Sequence, residues 1–83
     1  MKAIFFTYRS RTRARQGLDV LERGRISAWL EKTPGSLSQG GCGYCIRVDE
    51  TDSHRASALL RAGGAEYSRS YRLTGRRFQE VAL

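Results

Sequence analysis

Gly40-Gly41-Cys42-Gly43-Tyr44-Cys45-Ile46-Arg47-Val48-Asp49 is the stretch on which the fold turns. Its first half is a glycine-rich loop carrying a thiol. In its second half Tyr44, Ile46 and Val48 alternate with Cys45, Arg47 and Asp49, a period of two that predicts a strand with one buried face. The alternation puts Cys45 and Arg47 on the outward face. A thiol pair that runs into a strand differs from a thioredoxin-type site, where the first cysteine opens a helix whose dipole lowers the thiol pKa.

Working outward, Lys2 to Tyr8 is rich in Phe, Ile and Tyr and reads as a first strand. Ser10 or Thr12 then caps a helix in which Ala14, Gly17, Leu18 and Leu21 fall at i, i+3, i+4 and i+7, with Gly24 ending it. Ile26, Ala28 and Leu30 alternate with Ser27, Trp29 and Glu31 in a second strand that stops near Thr33-Pro34-Gly35. Downstream of the third strand, Asp52 or Ser53 caps a second helix. Ala56, Leu59, Leu60 and Gly63 form its apolar stripe, and Gly63-Gly64 stops it. Tyr67 to Leu73 completes a fourth strand.

The order β-α-β-β-α-β predicts an α+β, ferredoxin-like sandwich: a four-stranded antiparallel or mixed sheet with both helices on one face. Right-handed crossovers lead us to expect strands one and three as parallel neighbours, with strands two and four outside them. The 83 residues make one domain, 1–83, with 75–83 read as a tail that need not be ordered.

Composition narrows the function classes. The apolar run Ala3-Ile4-Phe5-Phe6 is far shorter than the roughly 18 residues of a membrane span and is not followed by a cleavage site, so we expect a soluble, cytoplasmic protein without a membrane partner. In a reducing compartment, two cysteines separated by two residues are a redox, carrier or metal group more often than a structural staple. Fifteen Lys+Arg against eight Asp+Glu give a net charge of +7, which favours anionic partners.

Two constellations carry candidate chemistry. Gly41 and Gly43 shape the loop around Cys42 and let amide N–H groups approach its sulfur, which stabilises a thiolate, while Cys45 is a second candidate thiol. The plainer alternative is a hairpin loop with an incidental Cys42 and a small strand filler at 45. Arg9, Arg11, Arg13 and Arg15 form the second group, read as two i, i+4 pairs on the first helix. Cations there oppose the helix dipole, a conflict that a bound anion would relieve, and we expect Arg72, Arg76 and Arg77 at the same edge of the sheet. Lys32 and Arg25 are expected near the thiol loop. His54, in the first turn of the second helix, has no ligand set around it in the sequence, so no metal site is assigned within one chain. Two chains pairing Cys42 and Cys45 could still supply four thiolates to zinc. The aromatic residues also allow an RNA-binding sheet, but strand three lacks the aromatic-rich signature of that module.

Cys42-Gly43, with Lys2 to Thr7 before it, Pro34 to Ser38 leading into it, and Ala58-Leu59-Leu60-Arg61-Ala62-Gly63-Gly64, Glu66-Tyr67 and Tyr71-Arg72-Leu73 after it, resembles the selenium/sulfur carrier protein-like family. The resemblance covers nearly the whole chain and implies a carrier more than a stand-alone enzyme. It implies that Cys42 holds a persulfide or perselenide without any other cofactor, loaded by a donor such as a cysteine desulfurase and passed to an acceptor protein. Cys45 departs from the single-cysteine pattern, and as a resolving thiol it would convert a Cys42 persulfide into a Cys42–Cys45 disulfide. The rival readings are a non-catalytic basic module for nucleic acid or another polyanion, and a C-x-x-C redox or dimeric zinc-thiolate protein. A homodimer is open in each.

Overall fold

The computed structural model describes residues 2–37 and 43–83. The chain forms β1 (Ala3–Tyr8), α1 (Arg11–Arg23), β2 (Ala28–Lys32), β3 (Tyr44–Asp49), α2 (Ser53–Ala62), β4 (Arg69–Thr74) and β5 (Arg77–Glu80), with single 3₁₀ turns at Gly35–Leu37 and Glu50–Asp52. The five strands make one sheet in the order β2-β3-β1-β4-β5, and every pairing is antiparallel.

Two expectations need correction. β1 and β3 are antiparallel neighbours: Ala3 faces Asp49 and Tyr8 faces Tyr44. The crossover rule fixes parallel direction between strands joined through a helix, and here each helix joins strands that have a third strand between them, so direct neighbours alternate in direction. The sheet also has five strands, not four. Residues 75–83, read as an uncommitted tail, include β5, which folds back on β4 across Gly75 and Arg76, with Gly75 at φ 60°. Phe78 of β5 packs edge-on against Phe5, ring centroids 5.4 Å apart.

The helix-side face of the sheet carries Ile4, Phe6, Tyr8, Ile46 and Val48, and Ala14, Leu18, Leu21, Ala56 and Leu60 of the helices close over them. Tyr8 is the tightest joint. Its hydroxyl is buried and donates to the carbonyl of Ala65 at 2.6 Å, tying the end of β1 to the segment that follows α2. Helix α1 crosses directly above the ring at Gly17, where a methyl group would stand 2.6 Å from the Tyr8 hydroxyl and 2.9 Å from Ile46 Cδ1.

The helix ends repeat one device. Ser10 caps α1 by accepting the Arg13 N–H at 3.1 Å. At its other end Arg25 N–H reaches Glu22 and Ile26 N–H reaches Leu21, while Gly64 and Ala65 make the equivalent bonds to Arg61 and Leu60 at the end of α2. These are Schellman closures, whose left-handed position normally holds glycine. Gly64 supplies it for α2 at φ 72°, but in α1 the position falls on Arg25 at φ 62°. Gly24 serves close packing instead, since a methyl group on it would meet Leu59 Cδ1 at 2.5 Å, as one on Gly63 would meet Val20 at 2.9 Å. At the start of α2, Asp52 holds the cap position but its side chain makes no capping bond.

Replacing Gly17 with alanine should gain about 1 kcal/mol in helix propensity and lose about 1–3 kcal/mol to overpacking against a ring that its own hydrogen bond holds in place. The net effect expected in urea unfolding is a loss of up to about 2 kcal/mol; an increase in stability would show that Tyr8 can yield. Arg25→Gly should raise stability by about 0.5–1 kcal/mol, the relief of a left-handed non-glycine residue less the added freedom of the unfolded chain. An unchanged urea midpoint would mean that the arginine is not strained.

Candidate functional site

The thiol region lies at the sheet end where β1 and β2 finish and β3 and β4 begin. Thr33 N–H donates to the Gly43 carbonyl at 3.1 Å, which closes the β2–β3 connection, and Gly43 is exposed with open space where a side chain would be. Cys42 and Gly41 lie outside the described residues, so the carrier assignment to Cys42 rests on sequence and on what surrounds Gly43.

Cys45 is on the sheet face that period two assigned to it, turned away from Ile46 and Val48, but it is not exposed. Its relative exposure is 0%, and it stands in register between Glu31 of β2 and Thr7 of β1. Burial pushes the thiol up to about 11, and the Glu31 carboxylate adds to the rise. Thr33 and Arg47 work the other way, favouring the thiolate without reversing the balance. Although Thr33 lies close enough to exert that pull, its buried Oγ1 makes no hydrogen bond of ordinary geometry, and it is the one such orphan among the described residues. At neutral pH Cys45 is therefore a protonated, enclosed thiol.

Sheet register decides which charges share this end. Arg9, Arg11, Arg13 and Arg15 are all exposed. The helix begins at Arg11, after the Ser10 cap, so Arg9 lies outside it and only Arg11 and Arg15 form a helical i, i+4 pair; with Thr12 and Gln16 they line a shallow groove. Arg15 also pairs with Asp19 at 3.6 Å, an exposed contact of little energetic weight. Arg72, Arg76 and Arg77 do not join this group. β4 runs antiparallel to β1 and carries them to the opposite end, where Arg72 binds Glu50 at 3.1 Å. Arg25 is also at the far end, before β2, whereas Lys32 stands opposite Tyr44 at the thiol end. Arg69, which the sequence reading passed over, faces Thr7 there and pairs with Glu80 at 3.2 Å.

His54 is exposed on α2, and among the described residues no three His, Cys, Asp or Glu side chains gather as a metal-ligand set. None of the helices among the described residues is long and apolar enough to cross a membrane.

Against known proteins, the model of a family described as Putative Se/S carrier protein-like matches residues 3–72, from β1 into β4. The chain belongs to this family. β5 lies beyond the matched span, and no curated protein and no solved structure matches the chain.

The raised Cys45 pKa has a signed consequence for stability. Protonation is favoured in the folded state, so the contribution is complete below the unfolded thiol value of 9.0 and is lost as pH rises toward about 11. Wild-type protein should lose on the order of 1–3 kcal/mol across that window, and Cys45→Ala, starting from a lower stability, should lose less. Parallel pH profiles for the two proteins in chemical denaturation would show that Cys45 is already accessible to water.

Proposed function

We propose that this chain is a sulfur or selenium carrier acting in a reducing compartment, with Cys42 as the carrying thiol. The observation that supports it most directly is the division between the two thiols within a matched carrier family. Cys45 is enclosed and held protonated, whereas Cys42 is followed at once by an exposed glycine at the open end of the sheet. A strand order of β2-β3-β1-β4 favours reading the fold as a ferredoxin-like sandwich, with β5 as an added edge strand.

The transfer has two balanced steps. Cys42 thiolate attacks the terminal sulfur of a donor persulfide, the donor's sulfur–sulfur bond breaks, and the donor leaves as a thiolate that takes up a proton. An acceptor nucleophile then attacks the terminal sulfur of the Cys42 persulfide and releases Cys42 thiolate. Selenium in place of the terminal sulfur follows the same course. The glycines at 41 and 43 put no side chain next to Cys42 in the chain, and Arg9, Arg11 and Lys32 give this end positive charge that favours a thiolate and draws an acidic donor surface. Cys45 takes no part in the resting cycle, because a resolving thiol has to ionise and reach its partner.

Intact mass spectrometry after incubation with a cysteine desulfurase and cysteine tests the assignment. One added sulfur is expected on wild type and on Cys45→Ala, and none on Cys42→Ala. Equal loading of Cys42→Ala, or no loading of wild type, would remove the carrier role; a Cys42–Cys45 disulfide forming in place of the adduct would restore the resolving-thiol reading.

A further inference from the structure

At the opposite end of the sheet from the thiol, a groove of about 530 Å³ opens beside β2. One wall is Trp29, 49% exposed and the one large apolar side chain left in solvent among the described residues. Its indole is held in place. Arg47 stacks on it at 4.7 Å while donating to Glu31 at 2.8 Å, so the guanidinium fixes one face of the ring and its own charge is already answered. Ala3 and Leu73 provide apolar lining, and Asp49, Asp52 and Lys2 provide charge.

Two of those charges stand apart: among the described residues, Asp49 and Asp52 are the half-buried carboxylates outside any ion pair, whereas Glu22 and Glu66, also outside one, are exposed. Of the eight Asp+Glu residues, Asp19, Glu31, Glu50 and Glu80 form ion pairs. Asp49 and Asp52 do not, despite a twofold excess of basic residues; both are half-buried, and both occupy cap positions without making a side-chain capping bond. Two half-buried carboxylates left unpaired are an attractive site for an ammonium group, and the exposed indole beside them offers an apolar surface to whatever that group is attached to. Lys2, on the same groove and also outside any ion pair, offers a partner for a carboxylate. An ammonium and a carboxylate on one small molecule, with an apolar group to lie against the indole, is the chemistry of an α-amino acid.

We propose that this groove binds a small apolar α-amino acid, with its ammonium on Asp49 and Asp52, its carboxylate on Lys2 and its side chain against Trp29. A simple anion would meet two carboxylates there, and a simple cation would leave Lys2 unanswered and facing like charge. The site uses neither cysteine and does not depend on the carrier reading.

Trp29 is the only tryptophan in the chain, so its fluorescence reports on the groove without a label. The full-length protein is titrated with leucine, with isoamylamine, which lacks the carboxylate, and with isocaproate, which lacks the amine, and thermal unfolding of each variant checks its fold. Leucine should give a saturable change, and each truncated analogue should bind at least about tenfold more weakly, the effect of losing one charge partner. The Asp49→Asn/Asp52→Asn double variant and Lys2→Gln should each weaken leucine by a similar factor while isoamylamine binding to Lys2→Gln holds or improves. Absence of a saturable change with leucine, equal binding of isoamylamine and leucine by wild type, or undiminished leucine binding by the double variant would each overturn the proposal.

Discussion

The packing of Gly17 against Tyr8 is the constraint from which the rest of the arrangement follows. A phenol at the last position of β1 is enclosed on the helix side of the sheet and satisfied by one backbone carbonyl, that of Ala65. Its ionisation is pushed far above the ordinary tyrosine range, by burial first and by the neighbouring Tyr67 second, so it stays a donor at any physiological pH. Because α1 has no side chain at Gly17, the helix rests on that ring and on Ile46. One residue type at each position thereby fixes the height of α1 over the sheet, and with it where the exposed arginines of its first turn stand relative to the start of β3.

Much of this was legible in the sequence, and the parts that were not share a cause. Helix stripes such as Ala14, Gly17, Leu18 and Leu21 depend on spacing within one element, and Ala14, Gly17, Leu18 and Leu21 are all buried as that spacing predicts. Strand direction and the grouping of charges depend on how elements far apart in sequence pair. Arg72, Arg76 and Arg77 were assigned to the Arg9 end because sequence gives no register, whereas pairing Thr7 with Arg69 sends them the other way. β5 was missed because Arg76-Arg77 and Gln79-Glu80 look like solvated tail; only Gly75, which permits the tight turn, and Phe78, which finds Phe5, mark it as a strand. Cys42 lies outside the described residues, so its reading still rests on its glycine neighbours and on the family match.

Cys45 shows a finer limit of the same kind. Alternation identifies the face on which a side chain lies and is silent on what covers that face. On β3 the face away from the helices holds Cys45 and Arg47, yet Cys45 is sealed while Arg47 remains partly in solvent between Trp29 and Glu31. The difference comes from the cross-strand neighbours. Cys45 is short and sits between Thr7, which is itself 1% exposed, and Glu31, near the buried Thr33. Parity alone would have left Cys45 open to solvent, and its neighbours close it off.

Separation of charge along the sheet then gives its two ends different characters. Among the described residues, Arg9, Arg11 and Lys32 are exposed without a carboxylate paired to any of them at the end where β3 begins, and Asp49 and Asp52 are unpaired beside Lys2 and an indole at the end where it finishes. A net charge of +7 spread evenly would favour any polyanion on any face, and the register instead divides the exposed cations between the two ends, Arg9, Arg11 and Lys32 near the start of β3 and Arg25, Arg76 and Arg77 at the other. An arginine cluster split between both ends also offers no continuous track for a nucleic-acid backbone, which binds through many phosphate contacts in a row. Antiparallel pairing of β1 and β4 is thus what separates the two groups of cations.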